Sequence, residues 1–376
     1  MDVLDLARLQ FAVTGSLHFL FVVLTLGLAP LVAIMNTRWA RSGRPVFEGM
    51  TRFWGQIYVV NYALGIVTGL VMEFQFGLSW SGLSHYAGDV FGAPLAMETL
   101  VAFFLESTFL GLWIFGWRRL PKWLHVACIW MVVLTAYASA FFIMIANSFL
   151  QNPVGAVERG GRLELADFGA LVSNPALVGA LPHVIGAALL TGGMVVAAAS
   201  SYQLRRRTAE VELFTRSLRI GVVTAAVGIF VAVASGHAQF GLIQPGKFEG
   251  NAGAGIGLGF MILLGEMVLF PLLLFFGAAV SRMPRWGWAQ SLLIGLTPLP
   301  FVISILGWMA REIGRQPWLI WERLTVEDAM SPGLTPGMIT GSFAGFVGIL
   351  GLLAVIDYVI IVRIVRRGPV ELALGA

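Results

Sequence analysis

Nine apolar runs, each long enough to cross a bilayer, dominate this sequence and limit what it can fold into. They lie at 9–36, 53–78, 92–116, 123–149, 176–203, 217–239, 253–281, 288–310 and 336–362. A helix rises 1.5 Å per residue, so about 20 apolar residues span the hydrocarbon. Lipid offers no partner for backbone N–H and C=O groups, and helices satisfy them within one segment. The expectation is an all-α integral membrane protein, a bundle of nine transmembrane helices forming a single membrane domain over 1–376. Charged residues make up 12% of the chain, against about 25% in soluble domains. That excludes a soluble enzyme, a nucleic-acid binder and a disordered scaffold. The lone Cys128 leaves no intrachain disulfide. The opening MDVLDLARLQ carries Asp2 and Asp5 and no basic leader, so it is not expected to act as a cleavable signal.

Basic residues set the expected orientation. Sorted by connecting segment, seventeen Arg and Lys fall on one side and seven on the other. The richer side should face the cytoplasm, placing the amino terminus outside and the carboxyl terminus inside. Arg205–Arg207 reads most simply as an anchor on anionic lipid. No internal repeat is visible, which argues against an inverted-repeat transporter. Among the 45 glycines, Gly65-x-x-x-Gly69 on the second run would admit either a neighbouring helix or a flat ring.

Ionisable groups in hydrocarbon cost about 2.5–3.5 kcal/mol or more, so each embedded one is a functional candidate. The set comprises His18, Glu73, Glu98, Glu106, His183, Glu266, Glu312 and Asp357. On the assigned topology His18 lies about nine residues below the outer surface, or ~14 Å. His183, Met261, Glu98, Glu312 and Arg315 fall in the same outer third. A lone His is equally a helix–helix hydrogen-bonding residue, and a lone Met is ordinary packing. Opposed on two helices, however, His and Met can form a six-coordinate low-spin haem site, whereas one axial ligand leaves an iron face open. No CxxCH motif for covalent attachment occurs. On a regular helix Glu98 and Glu106 would lie ~80° apart. With Ser107 and Ser139 they would form either a protonatable chain or a pair of neutral carboxyls bonded to neighbouring helices.

Five stretches carry a family resemblance: LDLARLQFAVTGSLHFLFVVLTLG (4–27), FWGQIYVVNYALGIVTGLVMEFQFG (53–77), SHYAGDVFGAPLAMETLVAFFLESTFLGLWIFGW (84–117), ANSFLQNP (146–153) and GWMAREIGRQPW (307–318). The chain resembles subunit I of the cytochrome bd respiratory oxidases over nearly its whole length. The resemblance implies a low-spin haem b held by His183 and Met261, with Met267 nearby as the alternative. It implies His18 as axial ligand of one high-spin haem and Glu312 of the other. Those two are a high-spin haem b and a haem d, or a third haem b in its place, in an order left open. Glu98 and Glu106 match acidic residues near the haems and on a proton route. Trp308 matches an active-site aromatic, and Arg315 an arginine near haem propionates.

The implied activity is quinol oxidation on the outer side and reduction of dioxygen to water with cytoplasmic protons, without a pumping step. The implied setting is the bacterial cytoplasmic (inner) membrane. The implied partners are a homologous second membrane subunit and a small single-helix subunit. The family's quinol-binding loop shrinks here to 240–252, with Gln244, Pro245 and Lys247 retained. The family's acidic partner falls on Ala252, leaving Glu249 as a substitute, and Gly236-His237 stands where many members have Gly-Asp. Two alternatives follow from these departures and from the bundle itself. One is a bd-like oxygen reductase with another electron donor; the other is a haem-free proton channel, transporter or assembly subunit.

Overall fold

The computed structural model describes residues 2–242 and 251–369. Among them, nine helical spans are long and apolar enough to cross a membrane, and the chain is a multi-pass membrane protein. The first two spans are single helices, α1 (Val3–Ser42) and α2 (Pro45–Leu78). The third joins α3 (Ser81–Met97) to α4 (Phe104–Phe115) through a π-helical turn, Glu98–Phe103. The fourth is α5 (Lys122–Gln151). A short α6 (Phe168–Val172) leads into α7 (Pro175–Arg205), the fifth, and α8 (Val211–Phe240) is the sixth. The seventh joins α9 (Ala252–Ile262) to α10 (Phe270–Ala278) through a second π-helical turn, Leu263–Leu269. The eighth breaks into α11 (Gly287–Gly295) and α12 (Leu299–Ile313), and the ninth is α13 (Pro336–Arg367).

Local sequence sets the ends of these helices. Asn174 and Thr335 cap α7 and α13 through side-chain oxygens, and each is followed by a proline in the first turn. That order satisfies one orphan N–H and removes another. Gly43 closes α1 in the left-handed region, at φ 65°, where only glycine sits without strain.

Packing follows small residues. At the α7–α8 seam, a Cβ on Gly193 would lie 2.5 Å from the Ala225 nitrogen, and one on Gly186 2.6 Å from that of Ala232. Where α1 crosses α7, a Cβ on Gly27 would overlap the Ala188 carbonyl, and one on Gly192 would overlap the Gly27 backbone. Helices in lipid associate through close van der Waals fit rather than hydrophobic transfer. Gly192→Val should therefore part α1 from α7. The expected result is loss of folded protein in detergent, read as a collapsed monodisperse peak in size-exclusion chromatography, whereas Gly348→Ala, with no neighbour within 4 Å, should behave as wild type.

One end of the bundle is basic. Arg44 and Arg216 both reach Glu212, at 2.6 and 2.8 Å, and Arg52 stacks over Trp117 at 4.1 Å. Beneath this end a core of Trp54, Trp113, Trp117 and Tyr58 fills the space between spans. At the opposite end two small antiparallel hairpins close the structure: β1 (Ala156–Arg159) with β2 (Arg162–Leu165), and β3 (Trp318–Ile320) with β4 (Leu324–Thr325). Gly160 and Gly161, both at positive φ, make the tight turn of the first. Leu163, Ile320 and Leu324 pack with Trp80, Leu83 and Phe149 into a second core.

Several sequence expectations are corrected. The third span begins at Ser81, not 92, because the Ser, Gly, His and Asp of SGLSHYAGD dilute its hydropathy without preventing helix. The π-helical turn between Glu98 and Glu106 replaces the regular helix on which their ~80° phase relation rested. The eighth span is broken before Pro298 and extends to Ile313, and the ninth continues to Arg367. Neither hairpin was anticipated. Of the 240–252 segment, residues 243–250 lie outside the described residues.

Candidate functional site

Between the two cores, α1, α2, the third span, α5, α7, α8 and the seventh and eighth spans surround a cavity of about 930 Å³. His18, His183, Met261 and Glu312 all line it, with Glu98, Glu106, Ser139, Trp308 and Arg315. Residues separated by nearly three hundred positions are thus brought to one internal surface.

Each histidine is held in one tautomer. The Thr68 hydroxyl donates to the Gly65 carbonyl at 2.6 Å, so its oxygen accepts from His18 Nδ1–H at 2.8 Å. His183 Nδ1–H donates to the Ala232 carbonyl at 2.8 Å. In both rings the proton sits on Nδ1 and the Nε2 lone pair is free, the arrangement that suits an axial metal ligand. Glycines make room for the rings. Gly69 faces His18, whose Cε1 would lie 3.4 Å from a Cβ there, and Gly236 faces His183 at 3.2 Å. The Gly65/Gly69 pair therefore serves both readings of its motif, admitting α1 at Phe21 and a ring at His18.

Met261, on α9, lies against Gly307 of α12, where a Cβ would come 2.6 Å from its sulfur. Met267 is 57% exposed and does not line the cavity. Glu312 ends α12 with both oxygens engaged: Asn147 Nδ2 donates to one at 3.0 Å and Arg315 to the other at 2.6 Å. Trp308 packs edge-on into the space left by Gly15, its ring 6.1 Å from that of Phe11.

Carboxylates line the wall formed by α2 and the third span. Ser139 donates to Glu98 at 2.7 Å, and Thr99 stands between Glu98 and Glu73, at 3.3 and 3.1 Å. Eight residues further, the Tyr58 hydroxyl donates to Glu106 at 3.2 Å, and Tyr62 pairs with Ser107 at 3.3 Å. The two tyrosine rings stack at 5.9 Å. Glu98 and Glu106 each line the cavity and are each hydrogen-bonded to another span. Gln244, Lys247 and Glu249 lie outside the described residues.

The cavity's chemistry fits a planar iron macrocycle bearing carboxylate tails. Arg315 is 3% exposed, yet its Nε and Nη1 make no hydrogen bond among the described residues; the same holds for Arg311 Nη2 and Arg8 Nε. Buried donors of this kind are costly unless satisfied, and all three arginines line the cavity. Carboxylates such as haem propionates would satisfy them. Among the described residues no group of three or more His, Cys, Asp or Glu is arranged for a bare metal ion.

Thr68, Asn147, Arg311, Tyr58 and Tyr62 escaped the sequence reading of the site. Asn147 and Arg311 fall inside the ANSFLQNP and GWMAREIGRQPW stretches, where a signal existed. The Ala232 carbonyl carries none, since any residue supplies one.

Comparison with known proteins gives a consistent result. Residues 6–247 and 255–369 match the family described as cytochrome bd terminal oxidase subunit I, with the interruption at 248–254 running into the first turn of α9. A cytochrome bd ubiquinol oxidase subunit 1 from Bacillus subtilis is 34% identical over 98% of this chain and 94% of its own. A cytochrome bd-II ubiquinol oxidase subunit 1 from Escherichia coli is 46% identical over 67% of this chain and 50% of its own. The structure of bd oxidase from Geobacillus thermodenitrificans superposes with a TM-score of 0.89 at 20% identity, covering 98% of this chain and 99% of that one, and shares the fold. The chain belongs to the cytochrome bd terminal oxidase subunit I family, whose members are haem-bearing membrane oxidoreductases.

Proposed function

We propose that this chain is the catalytic, haem-bearing subunit of a bd-type terminal oxidase that oxidises quinol and reduces dioxygen, acting as one membrane domain. The observation that carries this reading is the pair of histidines whose Nδ1 protons are tied down, so that two Nε2 lone pairs remain at one cavity with Met261 and Glu312. When bound, the haems supply one-electron transfer and the open iron face at which dioxygen is reduced.

The chain's own residues do the rest. His183 from α7 and Met261 from α9 hold the low-spin haem b. His18 and Glu312 hold the two high-spin groups, a haem b and a haem d or a third haem b in its place. Arg315, with Arg311 and Arg8, binds propionates through the donors left free of protein partners. Trp308 and Gly15 shape the wall beside His18.

Protons travel along hydroxyls and carboxyls. Glu106 exchanges with Tyr58, Ser107 with Tyr62, and Glu98 with Ser139 and Thr99. Each link is a hydrogen bond that can pass a proton by reorientation. The basic end faces the cytoplasm by its excess of Arg and Lys, so the amino terminus is outside and the carboxyl terminus inside. Protons are drawn from the cytoplasm while quinol is oxidised on the outer side, near Gln244, Lys247 and Glu249. A potential then forms across the bacterial cytoplasmic membrane without a pump. The bd oxidases are multi-subunit membrane complexes, and a homologous second subunit, with a small single-helix one, covers part of the apolar perimeter.

The test is a reduced-minus-oxidised spectrum and haem extraction on the purified complex, with oxygen uptake measured on a ubiquinol and a menaquinol. The expected result is b-type bands, with or without a d-type band, and quinol-driven oxygen consumption. A complex without haem bands would refute the oxidase reading, and one with bands but no quinol-driven uptake would refute the donor.

A further inference from the structure

Where α8 and the seventh span both line the cavity, a histidine stands outside the ligand set. His237, three residues before the end of α8, lines the cavity and is 58% exposed on its side chain. Its Nε2 lies 3.1 Å from both oxygens of Glu266, which is 25% exposed and also lines the cavity. Nδ1 makes no hydrogen bond among the described residues. A carboxylate that takes the Nε2–H fixes the tautomer, leaves the Nδ1 lone pair able to accept a proton, and stabilises the imidazolium once a proton arrives. That is the geometry of an oriented base.

Its position is as telling as its chemistry. His237 follows Gly236, the residue that faces the His183 ring. Glu266 sits in the π-helical turn that begins two residues after Met261. Such turns insert a residue into the helix and re-aim its side chains, often at functional sites. The two elements flanking the His183/Met261 pair thus also carry the His237/Glu266 pair.

We infer that His237 is the base that receives protons from the hydroquinone oxidised at this part of the cavity, with Glu266 as its positioning residue. This rests on the quinol-oxidising reading above. Conversion of hydroquinone to quinone breaks two O–H bonds and releases two electrons and two protons. The two electrons would leave one at a time to the ferric haem that His183 and Met261 would hold. Each hydroxyl proton passes to Nδ1 of His237 and leaves through the exposed side of the ring before the next is accepted. The other titratable or charged groups lining the cavity near the His183/Met261 pair are His183 on α7 and Arg311, Glu312 and Arg315 at the end of the eighth span. Only Glu266 is hydrogen-bonded to His237 among the described residues.

The test uses the purified complex in wild-type, His237→Gln and Glu266→Gln forms. Haem reduction is followed by stopped flow with a short-chain ubiquinol or menaquinol and, separately, with dithionite, across the imidazole titration range. Affinity for a non-reducible hydroxyquinoline N-oxide is measured by fluorescence quenching. His237→Gln should slow quinol-driven reduction by about 100-fold and flatten its pH profile, while dithionite gives wild-type spectra. It should also weaken N-oxide binding. Glu266→Gln should shift the pH profile and slow reduction by a smaller factor. Unchanged quinol rates and pH profile in His237→Gln would overturn the assignment while leaving quinol oxidation intact. A wild-type complex reduced by dithionite but by neither quinol would overturn both.

Discussion

The His183→Ala complex is expected to lose its low-spin haem b signal while keeping the bands of the other haems. Among the described residues the ring is fixed by a single hydrogen bond, Nδ1–H to the Ala232 carbonyl, and it sits in space that Gly236 leaves open. On the proposed assignment, removing it would leave Met261 alone to hold that haem. A lone thioether does not hold haem b in the low-spin state. His18 and Glu312 are held by Thr68, Asn147 and Arg315, none of which is hydrogen-bonded to His183 among the described residues, so their groups should stay bound. Changes to residues that hold a metal ligand in place cost about 10–100-fold in metal affinity or activity; loss of the ligand itself should exceed that for quinol-driven turnover. Low-temperature optical spectra and haem content per complex check the result. Equal loss of every band would mean misfolding instead. Met261→Leu should convert the same haem toward high spin. Met267→Leu should leave it unchanged, because Met267 faces away from the cavity; the opposite outcome would move the ligand to Met267.

What the sequence revealed and what it hid differ in physical kind. Bilayer thickness forces a length and a composition on each span, and both are readable residue by residue, so the nine helices were legible. Residues 81–91 were missed because the exposed polar residues Ser84, His85 and Asp89 lower the hydropathy of the window without preventing helix. The π-helical turns at Glu98–Phe103 and Leu263–Leu269 were illegible for another reason. Shifting a hydrogen bond by one residue changes no composition, yet it re-aims every side chain beyond it. Embedded His and Glu residues stood out by cost alone. Their partners did not, since a backbone carbonyl at Ala232, a hydroxyl at Thr68 and a glycine at position 69 are ordinary residues in any span. The His237–Glu266 pair joins residues twenty-nine apart on different spans, and nothing in the sequence couples them.

The ion pair at the end of α12 should fail in a way that separates its two duties. Arg315 is 3% exposed and donates to Glu312 at 2.6 Å. In Glu312→Ala the guanidinium loses its only carboxylate partner among the described residues, and Asn147 Nδ2 loses its acceptor. Stranding one member of a buried pair typically costs about 3–5 kcal/mol. A bound propionate would recover part of that, so the fall in thermal stability should be larger in haem-depleted than in haem-loaded protein. One high-spin band should disappear in both Glu312→Ala and the double variant Glu312→Ala/Arg315→Met. Stability should nevertheless be higher in the double variant than in Glu312→Ala, because removing the stranded charge relieves its cost while the ligand stays missing. Thermal unfolding in detergent, with optical spectra on the same samples, measures both effects. A double variant no more stable than Glu312→Ala would mean that Arg315 is neutralised elsewhere. Retention of both high-spin bands in Glu312→Ala would remove this carboxylate from the ligand set.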